Sequence, residues 1–520
     1  MFAIAESPLE PGLLWAGTND GQIQLTRNGG ETWTNVTANL PGLPPLGTVR
    51  NIDPSDADAG AAYVAIDRHQ EGDTTPYVFR TNDYGETWTD LAAGLPRGPL
   101  ANVHAVREDP EQAGLLFLGT ENALHVSFDD GTNWRSLSRR GDGEPNLPPA
   151  PVHWIEVQEH FDDLVVATYG RGIWILDDLT PLREIARGLA SRGPTLLAPR
   201  ITYRFRTRGA PMAQPEVPAS GTNPPYGVLL HYWIPEPTGD GATPAEGDGS
   251  HAAIRIRDAE GGVVRTLDDL PAAPGLHRVT WDLRHDATTQ VRLRTRPDER
   301  PDWEMPEQGF RPLPDGGRFS MLAVPGSYRI ELVLVEDGDG EEESEPNSTV
   351  DMEVLLDPDS AASSDDLAAQ QTLLVEIRDG IERAAYLMNE AERLRDDLRQ
   401  LEDRLSDRGS DIEVFEATNQ AGSLREELRE IEGEFFDLRM TGTGQDALRW
   451  PRRLYARLTY LARSVGQADA RPTDQQTAVW EMLSSQLAEQ EDRFGATLAG
   501  PLADLNRTLA DSGFPLVDTR

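Results

Sequence analysis

Short apolar runs punctuated by turn residues fill the first third of the chain: "GLLWAGT" from Gly12, "AAYVAID" from Ala61, "GLLFLGT" from Gly114 and "DLVVATY" from Asp163. Runs of this length, bounded by Gly, Asn and Asp, read as strands. They recur every 45 to 55 residues or so, with several short strands to a unit, which is the signature of β-propeller blades. In the first three units the next strand leads into a box: "TRNGGETWTNV" from Thr26, "TNDYGETWTDL" from Thr81 and "SFDDGTNWRSL" from Ser127. The fourth unit reads "TYGRGIWILDD" from Thr168 and keeps only the Gly and the Trp. The first unit starts so close to its apolar run that it is expected to lack a strand its fellows have.

The box chemistry fits a hairpin turn opened by Thr26, Thr81 or Ser127. Asp83, like Asn28 and Asp129, can accept from main-chain amides just ahead of it. Gly30, Gly85 and Gly131 supply positive φ, and Thr32 and Thr87 offer a hydroxyl to the same turn. Trp33, Trp88 and Trp134 then re-enter the sheet with about 150–250 Å² of side chain each to bury. A catalytic role for these aspartates would require a partner carboxylate and a cleft, which a hairpin position does not offer.

The pattern changes after Thr180. "PLREIARGLASRG" reads as a short helix with Pro181 in its first turn, followed by a Pro- and Gly-rich crossing from Gly209 to Gly227. Alternating runs at Tyr226, Ala252, Val263, His277, Ser327 and Val350 then suggest an immunoglobulin-like β-sandwich. Its aromatics Tyr232, Trp233 and Trp281 are candidate carbohydrate contacts but read better as core. The acidic loop from Glu336 lacks the Gly and Glu of a calcium loop and reads as a solvated hairpin tip. The run with Arg292, Arg294, Arg296 and Arg300 reads as a polar loop. From Ser363, with Asp366 placed to complete a cap, the period becomes helical. Leu394, Leu398, Leu401 and Leu405 form one stripe, Leu424, Leu428, Ile431, Phe435 and Leu438 a second, and Leu454, Leu458, Leu461 and Val465 a third. With a last helical region opened by Pro472, these predict an antiparallel helical bundle with acidic outer faces. The expected organisation is multidomain β plus α: propeller blades over 1–180, a linker with a short helix over 181–224, the sandwich over 225–358 and the bundle over 363–512.

Charge narrows the partners. Across 520 residues, 88 acidic against 48 basic side chains give a net charge of −40, which excludes a nucleic-acid partner held by clustered cations. Every basic residue besides His is Arg, and there is no Cys, so no disulfide or thiolate-held metal exists. No run of about 18 apolar residues predicts a membrane span. The opening "MFAIAESPLEPGLLWAG" lacks the basic and apolar regions of an export signal.

The boxes resemble the Asp-box (BNR) repeats, S/T-x-D-x-G-x-T-W, of sialidase, xyloglucanase and sortilin-type propellers. Box two matches at Thr81, Asp83, Gly85, Thr87 and Trp88, whereas box one has Asn28 for Asp and box three has Asn133 for Thr. A wider resemblance runs through "DRH" (Asp67, Arg68, His69), "PYVFRTNDYGETW" (Pro76 to Trp88), "ATYGRGIWILDDLTPLRE" (Ala167 to Glu184), "NPPYG" (Asn223 to Gly227), "RWPRRLY" from Arg449 and "DARPTDQQ" from Asp469. These are similar to bacterial BNR-repeat proteins named as glycosyl hydrolases, which are sortilin-N-terminal-like. The resemblance implies that the box is a structural turn away from the substrate face. It also implies that the chain corresponds to the C-terminal portion of a longer protein, a partial propeller. The chain itself assigns no location; relatives are mostly exported, so a periplasmic or extracellular one is expected if the chain is part of a longer protein.

The function expected is a non-catalytic interaction or scaffold protein, sortilin-like, binding a polypeptide or other extracytoplasmic ligand. An upstream polypeptide supplying blades, or self-association, would complete the array. The alternative is a glycoside hydrolase, sialidase- or xyloglucanase-like, taking a glycan and needing upstream blades. Its candidate catalytic residues are Asp67, Glu71 and His69, with Asp73 and Glu121 as further loop acids. Ligand-binding candidates are Arg68, Tyr169 and Arg171. His69, His104, His125, His153 and His160 show no metal-ligand spacing, so neither metal nor cofactor is expected.

Overall fold

The computed structural model describes residues 1–139, 146–206, 223–236, 251–297, 299–313, 317–335, 345–406, 412–442 and 445–518. It is a mixed β plus α protein in which antiparallel sheets precede a C-terminal helical region. Four sheets follow one another along the chain. Sheet 1 holds β1 (Ala3–Glu6), β2 (Leu14–Gly17), β3 (Ile23–Thr26) and β4 (Thr34–Asn35). Sheet 2 holds β5 (Thr48–Pro54), β6 (Ala62–Asp67), β7 (Tyr77–Thr81) and β8 (Thr89–Asp90). Sheet 3 holds β9 (Val103–Asp109), β10 (Gln112–Thr120), β11 (Leu124–Ser127) and β12 (Arg135–Ser136), and sheet 4 holds β13 (Val152–Gln158), β14 (Asp163–Thr168) and β15 (Ile173–Leu176). Strand order is up-and-down throughout. The first unit does not lack a strand: Ala3–Glu6 pairs with Leu14–Gly17 to complete four. The residues before "GLLWAGT" are enough for one more short strand, and residues 7–13 turn it back onto Leu14–Gly17, which the apolar run alone concealed.

Alternation along each strand gives every middle sheet two apolar faces. In β6, Val64 and Ile66 join Trp15, Ile23 and Phe79 between sheets 1 and 2. Tyr63 and Ala65 point the other way, to Val78, Leu116 and Leu118 between sheets 2 and 3. Phe117 and Val126 meet Ile155 and Val166 between sheets 3 and 4.

The turns between third and fourth strands repeat one hydrogen-bond scheme. Thr81 Oγ1 donates to Asp83 Oδ1 (2.8 Å) and accepts from the Gly85 amide (2.9 Å), while Asp83 accepts from the Thr87 amide (2.8 Å) and hydroxyl (2.6 Å). Ser127, Asp129, Gly131 and Asn133 reproduce it with the Asn133 side-chain amide in place of the hydroxyl, and Thr26, Asn28, Gly30 and Thr32 do so except that Asn28 Nδ2 donates to the Thr32 hydroxyl. The bonds hold Gly85 and Gly131 at φ +80° and press them on the sheet before: an added Cβ would lie 3.0 Å from Val36 Cβ and 2.8 Å from Leu91 Cδ1. Only glycine meets both demands.

The tryptophans record the same stacking. Trp88 meets Trp15 of sheet 1 edge-on at 6.0 Å, and Trp134 Nε1 donates to the Leu91 carbonyl of sheet 2 (2.8 Å). Trp33 has no described sheet before its own and is 40% exposed, against 8% for Trp88. The expectation that all three are buried therefore holds at Trp88, is met in part at Trp134 and fails at Trp33. At the other end all four residues of β15 are exposed, with Trp154 and Tyr169 beside them.

Helix α1 (Thr180–Ala186), with Pro181 in its first turn, follows sheet 4. Its buried Arg183 bonds Asp109 (3.0 Å), Glu111 (2.8 Å) and Asp162 (2.6 Å), tying the helix to sheets 3 and 4. Beyond it, β16 (Thr195–Leu196), β18 (Val228–Ile234) and β21 (Gly275–Trp281) form one sheet. A second contains β17 (Thr202–Arg204), β19 (His251–Arg257), β20 (Val263–Leu270), β22 (Gly326–Val335) and β23 (Ser348–Leu356). The two share a core around Tyr232, Ile254, Trp281 and Ile330, so Tyr232 and Trp281 are packing residues; Trp233 is half-buried. The acidic loop at 336–344 and most of the crossing after Gly209 lie outside the described residues.

The helices α2 (Ser364–Ser406), α3 (Ile412–Phe435), α4 (Asp446–Arg449), α5 (Leu454–Val465), α6 (Asp474–Thr497) and α7 (Ala503–Asp511) complete the chain. Ser363 caps α2 reciprocally with Asp366 (2.7 and 3.2 Å), and Thr473 with Gln476 does so for α6. The leucine stripes meet in one core, with Leu438 at its margin.

Trp88→Ala should destabilise the sheet array by about 3–5 kcal/mol, as other buried aromatics do, and Trp33→Ala by about 1 kcal/mol or less. Denaturant unfolding of both variants checks this; equal losses would contradict the stacking order. Because apolar sheet faces are bare at both ends of the array, the chain is expected to self-associate. Sedimentation velocity should show average mass rising with concentration, and a constant 57.3 kDa species would show those faces stable in water.

Candidate functional site

The first strands of sheets 2, 3 and 4 share an irregularity. Pairing of β5 with β6 skips between Val49 and Asn51, that of β9 with β10 between Val103 and Ala105, and that of β13 with β14 between Val152 and Trp154. The residues left over are Arg50, His104 and His153. A β-bulge bends its strand and re-aims the extra side chain, and here three bulges at equivalent places aim three side chains at one another. Arg50 Nη2 lies 3.2 Å from His104 Nδ1. The His104 and His153 rings are 4.4 Å apart, and His153 stacks on Tyr169 at 5.4 Å.

Two carboxylates flank this row. Asp67 ends β6, and Glu121 follows β10. Arg50 can only donate, so His104 Nδ1 accepts and its protonated Nε2 donates to Glu121 Oε2 (2.6 Å). Asp67 accepts from the His69 amide (2.9 Å) and from His69 Nδ1 (2.6 Å), with Arg50 Nε 3.8 Å away. The Asn102 amide nitrogen reaches towards both acids, 3.4 Å from Asp67 Oδ1 and 3.5 Å from Glu121 Oε2, so those oxygens are at most about 7 Å apart. Asp67's side chain is nevertheless only 1% exposed. Burial lowers the pKa of His104, against the Glu121 hydrogen bond that raises it, and burial followed by the Arg50 charge lowers that of His153.

The residues singled out from sequence divide accordingly. Asp67, His69 and Tyr169 belong to this cluster. Arg68 is buried, its guanidinium bonded to the Pro44, Pro45 and Leu46 carbonyls and to Asp73 (3.2 Å), so it holds a loop. Glu71 is exposed on the short helical turn after Arg68, and Arg171 is exposed on the loop after Tyr169. His104, Glu121 and His153 bring ligand atoms within 4.8 Å of one another, a separation open to a metal ion. Arg50 opposes that use, because its positive charge sits against His104 and leaves Nε2 carrying the proton.

Sequence reading missed Arg50, His104 and His153 as a group. The signal was present: "TVRN", "NVHA" and "PVHW" each place a basic or imidazole residue after a valine in the first two positions of a first strand.

No protein-family model matches the chain, and no curated protein matches it. Among solved structures it is similar to YCF48 from Cyanidioschyzon merolae, at 21% identity and TM-score 0.26 over 34% of this chain and 54% of that one. It is similar to a GH74 enzyme of Niastella koreensis at 16% identity and TM-score 0.26, over 34% of this chain and 28% of that one. A GH74 xyloglucanase from Xanthomonas campestris is similar at 16% identity and TM-score 0.27, over 72% and 47%. The matches thus span about half or less of these proteins' lengths.

Since folding lowers the pKa of both imidazoles below the ordinary 6.5, the unfolded chain binds protons that the folded chain refuses. Stability from this pair is complete above that value and is lost progressively as pH falls from it through the lowered values of the folded chain. A His104→Asn, His153→Asn double variant should lose less stability than the parent between about pH 7.5 and 5. Thermal melts across that range test this; identical pH profiles would count against it.

Proposed function

We propose that the chain is a non-catalytic binding protein whose four sheets are Asp-box blades of a β-propeller, and that it takes a polypeptide ligand on Arg50, His153 and Tyr169. The observation that carries the proposal is the triple bulge, which aims one side chain from each of three sheets at a common point. Tyr169, 73% exposed and stacked on His153, offers an aromatic platform beside the guanidinium of Arg50. Such a pairing suits a peptide, which presents apolar side chains and carbonyl or carboxylate oxygens together. In this reading the BNR kinship describes the fold, the immunoglobulin-like sandwich and the helical bundle buttress the blades, and further blades from an upstream polypeptide or a second copy cover the bare ends.

A second reading, glycoside hydrolase, is favoured by one observation. The separation of Asp67 and Glu121, at most about 7 Å, does not exceed what paired glycosidase carboxylates use. Against it, Asp67 is sealed from a substrate and Glu121 is engaged by His104, whereas a general acid needs access and an apolar setting that keeps its proton.

Peptides selected on this chain from a random library should bind the Tyr169→Ala and Arg50→Gln variants about tenfold or more weakly, with unchanged melting. Aryl glycosides, sialosides and xyloglucan should not be hydrolysed. Turnover abolished by Asp67→Asn or Glu121→Gln in a folded protein would replace this reading with the hydrolase.

A further inference from the structure

A cavity of about 420 Å³ lies where the second downstream sheet meets the helices. Five arginines line it: Arg204 at the end of β17, Arg206 just beyond, Arg284 after β21, Arg318, and Arg463 on α5. In a chain with 88 acidic and 48 basic residues, a concentration of one positive sign is against the trend.

The compensation within the cavity is small. Asp469 pairs with both Arg204 and Arg206, the latter at 2.6 Å. Arg284 donates to the Ser320 carbonyl (2.8 Å), and Arg318 to the carbonyls of Thr288 (2.9 Å) and Ala287 (3.1 Å). Among the described residues no carboxylate pairs with Arg284, Arg318 or Arg463. Among the described residues the five arginines therefore have one carboxylate partner, Asp469, so the lining keeps an excess of positive charge that attracts an anion. Burial lowers the pKa of Arg204, against the Asp469 charge that raises it and with a smaller lowering from Arg206.

The rest of the lining narrows the occupant. Phe319, Met321 and Leu374 supply an apolar wall, and Gln371 a polar one. The volume falls within the range of small-ligand sites and far exceeds the share of a single water, about 30 Å³. Guanidinium forks match carboxylate and phosphate oxygens in pairs. We propose that this cavity binds a small organic anion carrying at least two carboxylate or phosphoryl groups. The site is separate from the cluster around Arg50 and His104, and its occupancy does not depend on what binds there.

The test is isothermal titration calorimetry of the whole chain with citrate and with pyrophosphate, in chloride at fixed ionic strength. One-to-one binding of either is expected, and which of the two binds distinguishes a carboxylate ligand from a phosphoryl one. Arg318→Gln and Arg463→Gln should each weaken it about tenfold, the loss of one charge-assisted hydrogen bond. Arg463 is exposed, so Arg463→Gln should melt as the parent does, whereas Arg318→Gln also gives up its bonds to Thr288 and Ala287 and should melt slightly lower. Arg463→Lys, which keeps the charge, should retain part of the affinity, and Arg507→Gln, at a distant ion pair with Asp504, should change nothing. The proposal is overturned if neither anion binds at millimolar concentration. It is equally overturned if Arg318→Gln and Arg463→Gln bind as the parent does.

Discussion

A sheet that is apolar on both faces needs a neighbour on each side, and the first 176 residues follow from that need. Water expelled from the faces of sheets 2 and 3 supplies the main attraction, but attraction alone sets neither spacing nor orientation. Those are set at the turns, where a side-chain oxygen gathers main-chain amides and holds Gly85 or Gly131 hard against the sheet before it. Each turn is a local object, yet what it presses on belongs to the preceding unit. The array thereby acquires a direction: every unit leans on its predecessor.

Repetition also explains how the Arg50 cluster is assembled. Three first strands bulge at one equivalent place, so the backbone geometry is used three times, while the side chain differs each time. An arginine, a histidine and a second histidine then meet at a point that none of the units could build alone. The carboxylates that accompany them arrive on the neighbouring strand or just past its end, from Asp67 and Glu121, and fix which imidazole nitrogen carries a proton.

The β-rich beginning and the helical end were legible because each period is written in consecutive residues: short apolar runs in one, leucines three and four apart in the other. The turns were legible for the same reason, since their hydrogen bonds close within a few positions. Trp33 was not, because its exposure depends on what stands beside its sheet, and its sequence neighbourhood is nearly that of Trp88. His104 and His153 escaped notice because ligand motifs are sought at short spacing, whereas these rings meet through stacked sheets. Arg68 shows the reverse error: an arginine conspicuous in "DRH" is occupied by the carbonyls of its own loop. Charged residues in loops reveal their employment only once the loop is folded.

The longest helix joins two parts of the molecule. Over its 43 residues α2 extends about 65 Å. Along its middle, Glu382, Asn389 and Glu392 accept the amides of Thr289, Arg292, Arg294 and Thr295, taken in the same order as they occur in the chain. The two segments therefore run side by side in the same direction, joined by rungs. Tension drawing the sheets away along the helix axis would load those rungs together in shear instead of opening them one after another. The helix thus works mechanically as a splint, stiffest along its own length and weakest to a force that peels it sideways.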